Sequence, residues 1–147
     1  MHSPLIHHFM NEDVQLERLL HIHAEHGGLT VAVDFDNTLF DYHYEKQKGV
    51  RSEYDFSEIY KLIRLLKWAG CRIIIWTAND DEAFIRSFLK ERAVPFDLIN
   101  ENPPFFKSKS AKIYYNVLLD DAAGLRETYI LLCRFLESFP LSQPIQS

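Results

Sequence analysis

The residues with most to offer chemistry are carboxylates in pairs. Asp34 and Asp36 stand one residue apart in Asp34-Phe35-Asp36-Asn37-Thr38, and Asp120 and Asp121 are adjacent further along. Each pair follows an apolar run, Leu29-Thr30-Val31-Ala32-Val33 and Asn116-Val117-Leu118-Leu119 respectively. A charge taken toward an apolar interior must be paired, hydrogen-bonded or metal-bound. Taken alone, an Asp-x-Asp pair after a strand reads equally well as a polar turn, so its weight comes from what the rest of the chain brings to it. Four carboxylates in one crevice repel each other, and a divalent cation offsets that repulsion. An all-oxygen donor set favours magnesium, which keeps several waters and combines one or two carboxylates with phosphate oxygens. Phosphoryl chemistry follows from such a site. One Asp can attack phosphorus and form an aspartyl-phosphate, and a second, two residues on, can give and then take a proton. Thr77 can donate to a phosphoryl oxygen, and a lysine from among Lys107, Lys109 and Lys112 can balance the remaining transition-state charge.

The elements that must position these groups are readable from periodicity. Residues 29–35 form a short apolar, β-branched strand ending in the first acidic pair. Cys71-Arg72-Ile73-Ile74-Ile75-Trp76 is a second buried strand, ending at Thr77. Pro95–Ile99 reads as a short third strand, and Asn116–Leu119 as a fourth that ends at the second acidic pair. Asn11 caps a helix through about His26, stopped by Gly27-Gly28. Asp55 and Glu58 have capping-box spacing for a helix to Ala69, stopped by Gly70, and Asn79 and Glu82 repeat the signal for the next. A final helix covers about 123–138. Residues 39–55 and 100–111 are irregular; Tyr42, Tyr44, Phe105 and Phe106 in them read as packing residues or as the makings of a lid. This alternation predicts an α/β fold, a Rossmann-like parallel sheet flanked by helices with right-handed crossovers. In such a sheet the strand ends at Asp34/Asp36, Thr77 and Asp120/Asp121 share one edge, where open α/β sheets bind ligands.

With these parts in order, the sequence resembles the haloacid dehalogenase (HAD) superfamily of phosphohydrolases over roughly residues 29–125. The resemblance rests on Asp-Phe-Asp-Asn-Thr, the strand-end Thr77, a lysine, and Leu-Leu-Asp-Asp. The stretches Ile-Ile-Trp-Thr, Ile-Asn-Glu-Asn-Pro and Lys-Ile-Tyr-Tyr-Asn-Val-Leu-Leu-Asp-Asp are similar to a small bacterial branch without a large cap domain. The resemblance implies that Asp34 is the nucleophile and a magnesium ligand. It implies that Asp36 is the general acid and base, with its backbone carbonyl facing the metal. Thr77, with Ala78 and Asn79 beside it, would bind the phosphoryl group. Asp121 would be the third metal ligand, supported by Asp120, and Lys112 the phosphate-site lysine, with Lys109 and Lys107 left open. Little room for a cap lies between Thr38 and Thr77, or between Thr77 and Lys107, so the site is expected to be open. The predicted activity is a magnesium-dependent phosphatase for a small or macromolecule-attached phosphate.

Composition bounds this reading. At 147 residues the chain is expected to be one domain, with an N-terminal helical extension over 1–28, a core over 29–138 and a loose tail over 139–147. A net charge of −5 argues against a nucleic-acid partner. No apolar run is long enough to span a bilayer. Met1-His2-Ser3-Pro4 lacks the start of a secretory signal, and the two cysteines, Cys71 and Cys133, read as reduced core residues, so a cytoplasmic location is expected. A homo-oligomer stays open. His21, His23 and His26 do not fall on one helical face and read as a solvated surface rather than a metal site. Two other functions compete. One is a receiver-like phosphoaspartate module, but there the acidic pair precedes a lone acceptor Asp, the reverse of the order here. The other is a non-catalytic HAD-like phosphate-binding or regulatory protein, which the complete set of competent residues disfavours. Dehalogenase chemistry is disfavoured by the presence of Asp36.

Overall fold

The structure is a computed structural model describing residues 10–41, 55–108, 110–111 and 113–140. Tyr42, Tyr44, His7, His8, Lys109, Lys112 and most of the 139–147 tail lie outside the described residues. In chain order the elements are α1 (Glu12–His26), β1 (Thr30–Val33), α2 (Ser57–Trp68), β2 (Arg72–Ile75), α3 (Glu82–Glu91), β3 (Leu98–Ile99), β4 (Val117–Leu119) and α4 (Leu125–Glu137). The strands pair in parallel in the order β3-β2-β1-β4. The protein is thus α/β, a four-stranded Rossmann-like parallel sheet flanked by helices. The strand carrying Asp34 lies second from one edge, bonded to β2 on one side and to β4 on the other. No helix of the described residues is long and apolar enough to cross a membrane.

Side-chain alternation divides the strands. Val31, Val33, Ile73, Ile75, Val117 and Leu119 join one apolar cluster with Ile63 and Leu66 of α2, Ile85 and Leu89 of α3, and Leu132 and Phe135 of α4. Each helix presents its apolar residues at helical spacing, so burying one stripe covers the sheet. Burial of each such side chain contributes roughly 1.5–3 kcal/mol. Ala32 and Ile74 point to the other face and are fully buried there. Arg72, on that same face, holds its guanidinium 4.9 Å over the ring of Phe105, which brings the chain after β3 across it. Phe105 and Phe106 both pack against Tyr114, at 5.2 and 5.0 Å between ring centres.

Several element ends differ from the sequence reading. The Asp55–Glu58 capping box does not form: Phe56 takes the cap position before Ser57 with no side-chain bond, and Asp55 instead accepts the Ser57 N–H at 2.8 Å. Asp81 rather than Asn79 caps α3, accepting the Phe84 N–H at 3.1 Å. In α4 the start moves to Leu125, because Asp120–Ala123 folds as a turn and Gly124 adopts φ 67°. β3 contracts to two residues, since Pro95 has no N–H to give a ladder and pairing begins only at Asp97 N to Ile73 O, 2.9 Å.

The N-terminal helix is capped by Asn11 as expected and is tied to α4 by Arg134, which reaches Glu12 and Asp13. His21 and His26 lie beside Glu25 on an exposed face. His23 corrects the solvated-surface reading: its ring packs edge-on against Phe135 and Phe139, and burial lowers its pKa. Gly28, which follows α1, is required by a close approach. A Cβ there would stand 2.3 Å from the Gly70 carbonyl oxygen, so any other residue forces two backbones apart.

Candidate active site at the carboxyl edge of the sheet

The ladder continues one residue past the strands. Asp34 N donates to Leu119 O and Trp76 N to Val33 O, each at 2.8 Å. The chain then turns sharply. The amides of Thr38, Leu39 and Phe40 all converge on the Phe35 carbonyl, at 3.3, 2.9 and 3.1 Å. Asn37 makes the reversal by adopting φ 63°, which Asn tolerates better than most residues. Phe35 and Phe40 anchor the turn beneath, stacked on each other and against Phe84 and Phe88 of α3.

The turn delivers Thr38, fully buried, between the two acidic pairs. Its Oγ1 lies 3.2 Å from Asp34 Oδ2 and 3.3 Å from Asp121 Oδ1, and accepts the Asp121 N–H at 3.1 Å. A hydroxyl has one proton, so it serves one carboxylate at a time. Asp34, Asp120 and Asp121 can present oxygens all within 4.8 Å of one another, the one such metal-competent group among the described residues. This crowding acts on Asp34. Burial first, then the hydrogen bond with Asp121 and the charges of Asp120 and Asp121, push its carboxyl from 3.8 up to about 7, against the opposing Thr38 hydroxyl.

The second half of the site belongs to β2 and its turn. Asn100, in the left-handed region at φ 52°, clamps Thr77: it accepts the Thr77 N–H through Oδ1 and donates Nδ2 to the Thr77 carbonyl, both at 2.8 Å. The Thr77 hydroxyl accepts the Asn79 N–H at 3.0 Å, which leaves its own proton for another acceptor. Asn79 then extends its amide Nδ2 to Asp36 Oδ1, 3.3 Å away. The two carboxylates of Asp34-Phe35-Asp36 therefore part company. Asp34 faces the acids that follow β4, whereas the Asp36 carboxylate is held from the β2 turn and is not among the clustered ones. Ala78 is exposed in that turn. Of the lysines considered, Lys107 is exposed, and no described lysine or arginine forms an ion pair with Asp34, Asp36, Asp120 or Asp121.

The donor set suits a hard divalent cation. It is all carboxylate, converging and close, and burial together with the neighbouring acids raises the carboxyl of Asp34 to about 7, a shift that a bound cation would oppose. Two contributors were not given roles from sequence. Thr38 belongs to the motif, but only the turn shows that it bridges the two acidic pairs. Asn100 acts across strands on a backbone, and its one local sign is an Asn immediately after an apolar run, a residue type that tolerates the left-handed region.

Fold and site together define a class: a parallel α/β protein with a carboxylate cluster at the carboxyl edge of its sheet. Comparison with protein-family models, with curated proteins and with solved structures gives no match.

Proposed function

We propose that the protein is a magnesium-dependent phosphate monoester hydrolase of HAD type, acting through an aspartyl-phosphate on Asp34. The observation that carries this reading is the separation of Asp34 from Asp36. The first sits among carboxylates competent for a cation; the second is turned toward Asn79 and the Thr77 loop. Asp34, Asp120 and Asp121 would hold magnesium, which supplies charge compensation to the carboxylates and to the phosphoryl oxygens. Asp34 Oδ attacks phosphorus as the ester oxygen leaves and takes a proton from Asp36. Asp36, now ionised, accepts a proton from the water that cleaves the acyl phosphate and restores Asp34. The Thr77 hydroxyl and the loop through Ala78 and Asn79 receive the phosphoryl oxygens, with the lysine from the 107–112 segment, Lys112 by the sequence reading, neutralising them.

The test is phosphate release from an aryl phosphate with and without magnesium, for the wild type and for Asp34→Asn. Magnesium-dependent turnover lost in Asp34→Asn is expected. Turnover that survives the substitution sinks the nucleophile assignment.

A further inference from the structure

Trp76 has no place in the scheme above, yet it stands next to it. β1 and β2 pair with Val33 opposite Ile75, and the Trp76 N–H to Val33 carbonyl bond carries the ladder one residue further. Asp34 and Trp76 are therefore lateral neighbours, one strand spacing of about 4.8 Å apart in backbone, on the same sheet face. On the other side Leu119 pairs with Val33, so the row across the edge reads Asp120, Asp34, Trp76. The rest of that face is closed: Ala32 and Ile74 below are fully buried, and Arg72 lies under Phe105. Trp76, one residue past β2, stays open at 37 % exposure, level with the first residue of the carboxylate cluster. Covering the apolar face of an indole is favourable, and a second aromatic ring adds a stacking contribution to that burial.

Building on the phosphatase reading, we infer that Trp76 is a specificity-determining residue, a stacking surface for a planar aromatic group carried by the phosphate ester. The face of an indole selects flat π-systems with little demand on their hydrogen-bonding pattern. Two sources supply that chemistry, a nucleobase and a simple aryl group. With phosphorus at Asp34, either group would extend over β2, where the indole offers apolar surface, rather than toward β4, where the carboxylates of Asp120 and Asp121 stand.

The experiment compares kcat/KM for adenosine 5′-monophosphate, phenyl phosphate and glycerol 3-phosphate in the full chain with magnesium. Variants are Trp76→Ala and Trp76→Phe. The expected result is that the ratio of either aromatic ester to glycerol 3-phosphate falls about tenfold in Trp76→Ala, through KM, and is largely retained in Trp76→Phe. Loss for adenosine monophosphate alone identifies a nucleotide substrate; loss for phenyl phosphate alone identifies an aryl ester. An unchanged ratio in Trp76→Ala, with activity present, overturns the inference and leaves the phosphatase reading standing. If the wild type cleaves none of the three esters, the phosphatase reading falls. Tryptophan fluorescence of Asp34→Asn then decides the remainder. Quenching by an aromatic phosphate that disappears when Trp76→Phe is added keeps the stacking surface, and no quenching overturns it.

Discussion

Asp34 makes the apoprotein's stability depend on pH in the direction opposite to that of an ordinary salt-bridged aspartate. Its carboxyl titrates near 7 when folded and near 3.8 when unfolded, because burial and the neighbouring Asp121 and Asp120 disfavour the charge. Between those values the folded chain holds a proton that the unfolded chain has released. The resulting stability is present in full below about pH 3.8 and is lost as pH rises through about 7. At 1.36 kcal/mol per pH unit the unscreened effect would be about 4 kcal/mol. Asp34 is partly open to water and its proton is shared with adjacent carboxylates, so about 2 kcal/mol is expected. For a domain of this size that is roughly 6 °C in Tm. Asp34→Asn removes the charge while keeping the shape. By scanning calorimetry without divalent ions, it should lie within about 2 °C of the wild type at pH 4.5 and exceed it by roughly 6 °C at pH 8. Millimolar magnesium at pH 8 should raise the wild-type Tm and leave Asp34→Asn largely unmoved, and chelation should reverse the gain. A difference between the two proteins that is equal at pH 4.5 and pH 8 would refute the claim that charge crowding, rather than packing, dominates at Asp34.

Two further substitutions probe what holds the site. Thr38→Val keeps the volume but strips the acceptor from the Asp121 N–H and the donor between two carboxylates; it should cost about 1–3 kcal/mol in urea unfolding and weaken magnesium binding roughly tenfold by titration calorimetry, and a wild-type result in both assays removes Thr38 from the site. Asn100→Ala loses both bonds to the Thr77 backbone and must still hold a left-handed φ, whereas Asn100→Gly loses only the bonds. The alanine variant should therefore be less stable than the glycine variant by about 1 kcal/mol in urea, and equal stabilities would mean that the left-handed backbone at Asn100 costs nothing.

The positions of Asp34, Thr77 and Asp120 were legible because each ends an apolar, β-branched run, and a parallel sheet has one carboxyl edge. The helices were legible through residues such as Ile59, Leu62, Ile63 and Leu66, whose spacing matches the stripe they bury. Their first turns were less so, because several polar residues compete for the same amides: Asp55 and Asp81 each sit within reach of an alternative start. The order β3-β2-β1-β4 depends on pairings between distant runs, and no run carries a mark of its partner. Asn100 and Thr38 act through side chains on backbone or carboxylates brought near by the fold, 23 and 83 positions away. His23 looked like its solvated neighbours because helical spacing alone does not show that α4 lies against one side of α1. The carboxylates' assembly is thus a product of sheet order, whereas the identity of the acids is local.

The flanking of β1 by β2 and β4 also fixes how the site fails. Its key amides, those of Asp34 and Trp76, are bonded within the ladder on either side of β1, and β1 cannot leave without breaking both pairings. Local openings that expose amides to solvent start at weakly held elements, here the two-residue β3 at the sheet's edge. Hydrogen exchange at Leu98 and Ile99 should therefore run ahead of exchange at Asp34 by orders of magnitude. Loss of β3 leaves the acidic cluster itself in place, whereas loss of the opposite edge strand, β4, would take Asp120 and Asp121 away from Asp34, so the acidic centre depends on one edge of the sheet and not on the other.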